Sequence, residues 1–137
     1  HGVEFADFDR DGAVDLALCN NNPQGANSIA RNLLPSAQAR RSLQVIVVDR
    51  NGRLTRAGSE IRLFVAGSRK VVGSRIVDTG SGYASQSAAP VHFGLGGVKS
   101  VDVEVTYFTP RGRRTLTTKN VDPARTAHGI LTVKLPV

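Results

Sequence analysis

The sequence predicts an all-β fold, and three features of its 137 residues carry that reading. Apolar and polar residues alternate with period two in several short runs. The joints between the runs are built from glycine, proline and asparagine, the residues of tight turns. No stretch carries the apolar stripe of an amphipathic helix. Short strands at regular spacing, separated by such joints, make a β-sandwich or barrel-like domain.

The elements follow in chain order. Val14-Asp-Leu-Ala-Leu18 alternates as a strand behind an acidic loop at Asp7–Asp15, and residues 27–34 form a further short strand. A boundary falls at Leu34–Arg40, so residues 1–35 form a small first unit and 36–137 the main domain. The first unit is too short to bury a core alone, whereas about 100 residues with six or more strands make a normal sandwich. Leu43–Val48, Glu60–Val65 and Val71–Val77 read as strands rich in β-branched residues. In Val101–Phe108, Val101, Val103, Val105 and Tyr107 alternate with Asp102, Glu104, Thr106 and Phe108. Arg114–Val121 and Ile130–Leu135 complete the set. Asn51-Gly52 suits a type I′ hairpin. Ala66-Gly67-Ser68 makes a short turn, and Thr109-Pro110-Arg111-Gly112 a type I turn with proline second and glycine fourth.

Composition narrows the function. Lys and Arg number 18 against 11 Asp and Glu, a net charge of +7, which points to an acidic partner or simply to solubility. The basic residues are scattered, and only 5% of residues are aromatic, so base stacking has little to work with and nucleic acid is disfavoured. An acidic glycan met by the basic surface is the polyanion alternative. No apolar run reaches the roughly 18 residues of a membrane-spanning helix. The chain opens His1-Gly2 without methionine or a signal-peptide pattern, as expected of a piece of a longer protein. Cys19 is the one cysteine, so no internal disulfide forms, and its place at the end of an apolar alternation predicts a buried structural residue.

The acidic loop asks for a cation. Counted from Asp7 as position 1, Asp9, Asp11 and Asp15 take positions 3, 5 and 9, with Gly12 at 6 and Ala13 at 7. Calcium takes six to eight oxygens and mixes carboxylates with backbone carbonyls. Alternate side chains of a tight loop converge on one centre, Gly12 permits the sharp turn, and the Ala13 carbonyl adds a ligand. An EF-hand would need a glutamate at position 12, where this chain has Leu18, and flanking helices that are not predicted. No His or Cys stands at zinc spacing. The expected ligands are therefore Asp7, Asp9, Asp11, Ala13 and Asp15, and the expected role of Ca2+ is to brace the loop between strands; the alternative is an Asx-rich turn that holds no metal.

The stretch Asp78–Pro90 is a long loop of small polar residues, followed by Val91-His-Phe-Gly-Leu-Gly-Gly97. Long loops in compact domains are often functional. Tyr83, Gln86 and His92 form the candidate binding loop, with the alternative that Tyr83 and His92 pin the loop by packing and hydrogen bonding. A hydrolytic reading would pair Ser81, Ser85 or Ser87 with His92 and Asp78 or Asp102, as in a small accessory enzyme domain. No G-x-S-x-G elbow supports it, and the expectation is that the chain is not an enzyme.

Two segments resemble known families. Gly2-Val-Glu-Phe-Ala-Asp-Phe-Asp-Arg-Asp-Gly-Ala-Val-Asp-Leu-Ala-Leu18, with Asn20-Asn-Asn22 and Ser28-Ile-Ala-Arg-Asn32, resembles an FG-GAP/VCBS repeat. That resemblance implies a partial β-propeller blade whose loop binds calcium through Asp7, Asp9, Asp11, the Ala13 carbonyl and Asp15. Leu43 to about Ala124 resembles the ASPIC/UnbV domain of cartilage acidic protein-like proteins, on Ala57-Gly-Ser-Glu-Ile-Arg62, Ser81-Gly-Tyr-Ala-Ser-Gln86 and Val91-His-Phe-Gly-Leu-Gly96. The family's late Trp-Pro-x-Gly turn is Phe108-Thr109-Pro110-Arg111-Gly112 here. Together the resemblances imply a non-catalytic interaction module, extracellular or in the periplasm or cell envelope. Its expected partners are a protein or glycan ligand and the rest of a parent propeller.

Overall fold

The computed structural model describes residues 2–80, 87–88 and 90–137. These residues are mostly strand, in three sheets. The first is an antiparallel meander of β1 (Gly2–Ala6), β2 (Asp15–Cys19) and β3 (Ser28–Ala30). A four-residue helix, α1 (Ser36–Ala39), leads out of it behind Pro35.

The rest of the chain forms two sheets. One has the order β10-β4-β7, with β4 (Ser42–Val48) at its centre, antiparallel to β7 (Val91–Gly94) and parallel to β10 (Ile130–Lys134). The other has the order β6-β5-β8-β9, built from β5 (Glu60–Val65), β6 (Val71–Ile76), β8 (Val101–Thr109) and β9 (Gly112–Val121). Both sheets feed one hydrophobic core. Leu43, Val45, Val47, Phe93 and Val133 enter it from one side, and Ile61, Leu63, Val103, Val105 and Tyr107 from the other. Each fully buried Val, Leu or Ile contributes about 1.5–3 kcal/mol.

The alternation read in β8 holds with one exception: Val101, Val103 and Val105 are fully buried and Phe108 is 70% exposed, but Thr106, on the opposite face, is also buried. The turn at 66–68 joins β5 to β6, and the one at 109–112 joins β8 to β9, as expected. The hairpin expected at Asn51-Gly52 does not form, because β4 and β5 lie in different sheets. Gly52 alone takes positive φ there, where a type I′ turn needs it at both central residues. The Asp49 carboxylate instead accepts the Asn51 and Arg53 amides at 2.8 and 2.9 Å and the Thr55 hydroxyl at 3.0 Å. Those bonds hold its pKa below the ordinary carboxylate value, the Arg53 amide contributing most. Cys19 is also corrected: it is exposed, at the open end of β2, where burial falls away along the strand among the described residues.

Candidate functional site: an acidic loop docked on the main body

The turn between β1 and β2 folds around its own carboxylates. Asp9 and Asp11 each accept an amide two residues on, from Asp11 at 3.3 Å and Ala13 at 2.8 Å, the Asx-turn pattern. Asp7 spans the turn, its two oxygens accepting the Asp11 and Gly12 amides at 3.0 and 3.1 Å. Asp15 closes it from β2, accepting the Phe8 amide at 3.0 Å and the Asn32 amide at 2.8 Å. Asp15 is 2% exposed, so those bonds replace the water its charge has lost.

Carboxylate oxygens of Asp7, Asp9 and Asp15 lie within 4.8 Å of one another. An ion 2.3–2.6 Å from each ligand allows ligand separations up to about 5 Å, so the spacing fits a hard divalent cation. The bonded oxygens of Asp9 and Asp15 and Oδ1 of Asp7 each keep a second lone pair for a metal, whereas Asp7 Oδ2 already accepts from both Gly12 and Gln44. Asp11 stands outside this group. Its Oδ1 holds the Ala13 amide, and its Oδ2 lies 3.3 Å from the Arg31 guanidinium. Arg31 also pairs with Asp9 at 2.6 Å, and Asp9, ahead of Asp11, raises the Arg31 pKa. The Ala13 residue is buried behind the turn.

The loop is fastened to the main body through Gly12. Its carbonyl oxygen accepts a hydrogen bond from His92 Nε2 at 2.9 Å, which puts the ring proton on Nε2 because a carbonyl only accepts. Ser42 Oγ lies 2.8 Å from both the Gly12 and Ala39 carbonyl oxygens, with one proton to donate between them. Gln44 Nε2 donates to Asp7 Oδ2 at 2.7 Å. Gln44 and His92 are cross-strand partners on β4 and β7, and Ser42 sits two residues from Gln44, so all three share one sheet face. The approach is close: a Cβ on Gly12 would meet the Ala39 carbonyl oxygen at 2.5 Å, and Gly12 has φ +98°. A second contact joins Ser87 Oγ to Glu4 of β1 at 3.0 Å.

The structure thus brings together three of the four carboxylates named from sequence and leaves Asp11 beside Arg31. His92 belongs to the joint. Tyr83 and Gln86 lie outside the described residues. Nearby, a cavity of about 150 Å³ is lined by Val45, Val47, Val77 and Val91 together with Arg56 and Ser87. Sequence reasoning missed Ser42, Gln44, Arg31 and Asn32. The available signal was the polar pair Ser42 and Gln44 in an otherwise apolar strand.

These features define an all-β module with an acidic turn seated on one of its sheets. Comparison with known families matches residues 50–128 to ASPIC and UnbV, and the chain belongs to that family. No curated protein and no solved structure matches it. Among the described residues, no helix is long and apolar enough to cross a membrane.

Proposed function

We propose that the chain is a non-catalytic interaction module, extracellular or in the cell envelope, in which a calcium-braced partial propeller blade is docked on the ASPIC/UnbV body. The observation that carries this reading is the meeting of Asp7, Asp9 and Asp15 in the turn that Gly12 fastens to β4 and β7. Calcium fits the donor set because every group is a hard oxygen at suitable spacing. Asp7, Asp9 and Asp15 would hold it, with Asp11 and the Ala13 carbonyl as the further ligands implied by the FG-GAP/VCBS resemblance. Bound there, calcium would add to the positive charge that Arg31 already sets against Asp9.

The blade reading draws support from the faces of the first sheet. Val3 and Phe5 on β1 are 53% and 65% exposed, and Ile29 on β3 is 72% exposed. Apolar residues on both faces of a small sheet suit a blade that packs between further blades, so the rest of a parent propeller is the proposed intramolecular partner. The ligand is a protein or a glycan.

Calorimetric titration of calcium into chelator-treated protein tests the reading. One site that Asp9→Asn weakens at least about tenfold is the expected result. Saturable binding that is unchanged in Asp9→Asn would place the ion elsewhere and remove the brace.

A further inference from the structure

Three depressions share walls around one end of the molecule. One, of about 420 Å³, lies between the acidic loop, α1 and the turns before β10, with Arg10, Arg40 and His128 among its lining residues. A second, of about 320 Å³, shares Arg40, Pro123 and Ala124 with the first and adds Arg41 and Lys99. A third, of about 370 Å³, shares Lys99 and Asp122 with the second and adds Arg125. Each falls within the roughly 300–1,000 Å³ range of small-molecule clefts. Together they make one run of adjoining open depressions, called the groove below.

The groove is electropositive. Arg10, Arg40, Arg41, Lys99 and Arg125 line it, and none makes an ion pair among the described residues. Of its two carboxylates, Asp11 is paired with Arg31, while Asp122 accepts the Ala124 amide and keeps its charge, so five cations face one uncompensated anion. Elsewhere Arg62, Arg69 and Arg113 face Glu60 or Glu104. Concavity with a surplus of charge of one sign focuses the field on a bound anion. Arg10 and His128 line the same depression in left-handed backbone, at φ 61° and 54°, a conformation that side-chain-bearing residues adopt at a cost.

The remaining lining chooses between anions. Ser36, Ser100 and Asn120 add hydroxyl and amide groups. No Phe or Tyr lines any of the three depressions, so bases have no stacking platform. Charged forks beside hydroxyls suit sugars bearing sulfate or carboxylate groups, which arginine meets in a bidentate manner.

We propose that this groove binds an acidic polysaccharide, its anionic groups set against Arg10, Arg40, Arg41, Lys99 and Arg125. The inference deepens the reading of the chain as a binding module, and rests on it, by naming the ligand class and the surface.

The test uses the full chain and a short heparin oligosaccharide at physiological salt. In the groove variant, Arg10→Asn, Arg40→Ser and Lys99→Ser are combined, asparagine being chosen because it tolerates left-handed backbone. The control variant carries Lys70→Ser, Arg75→Ser and Arg114→Ser, which remove the same charge from exposed positions outside the groove. Arg41→Ser with Arg125→Ser is a second groove variant, read if the first melts early. The groove variants should lose at least about tenfold in affinity, since one charge-assisted contact is worth about that much, and the control should lose less than about threefold. Equal losses in groove and control variants would overturn the proposal, as would absence of heparin binding by the wild type. Tighter, groove-dependent binding of a single-stranded oligonucleotide of matched charge would overturn the polysaccharide assignment. Calcium-dependent melting of the same samples separates the failures. If it persists while heparin binding is absent, only the groove assignment falls.

Discussion

Replacing Gly12 by alanine puts a methyl group where the main body has backbone. The new Cβ would lie 2.5 Å from the Ala39 carbonyl oxygen and 2.8 Å from its carbon. Neither atom can rotate aside, because both belong to the main chain of α1, so the loop must lift. Lifting breaks the hydrogen bonds from His92 to the Gly12 carbonyl and from Gln44 to Asp7, at about 1 kcal/mol each, while Ser42 keeps the Ala39 carbonyl. The left-handed backbone adds about 1–2 kcal/mol for any side chain, which gives a loss of about 3–4 kcal/mol. Gly52→Ala is the internal control, with φ +80° and nothing within 4 Å of its Cβ. It bears only the backbone cost of about 1–2 kcal/mol. At about 4 °C per kcal/mol for a chain of this size, thermal unfolding should drop by about 12–16 °C for Gly12→Ala and about 4–8 °C for Gly52→Ala. Equal drops in the two variants would refute the close docking of the loop.

Other outcomes follow from the charges. Asp49, Glu60 and Asp102 are each held below the ordinary carboxylate pKa, chiefly by the Arg53 amide, the Arg62 side chain and the Asn120 amide respectively. Depressed folded values give stability that is present above the unfolded pKa, near 4, and is lost as pH falls through the folded values. Urea unfolding at stepped pH should show that loss below about pH 4, with a shallower slope in Asp49→Asn; an unchanged slope would remove Asp49 from the acid limb. Arg69 pairs with Glu104 at 3.1 Å and stacks 3.9 Å from the Phe64 centroid, but its side chain is 73% exposed. Arg69→Ala should therefore cost under about 1 kcal/mol by denaturant titration, and a loss several times larger would mean that Arg69 organises the β5–β6 turn.

Local patterns made the two sheets legible. Val101, Val103, Val105 and Tyr107 needed only the two-residue period of a strand to declare their inward face. β7 was hidden because four residues ending in Gly94 follow a long polar loop, and α1 because four residues show no period. Asn51-Gly52 misled for a related reason: its local chemistry fits a hairpin, but β4 pairs with β7 and β10, which lie far along the chain. The acidic turn was readable since its carboxylates fall within nine residues. Its docking was not, because Gly12 meets Ser42 and His92 across separations of 30 and 80 residues. The displacement of Asp11 toward Arg31, 20 residues away, was equally invisible.

The most direct test of the calcium-braced joint is thermal unfolding with and without calcium, on wild type and Asp9→Asn. At free calcium about a hundred times its Kd, the brace should add about 2.7 kcal/mol, or about 10 °C in the wild type, with little gain in Asp9→Asn. No gain in the wild type, or the same gain in both proteins, would contradict it.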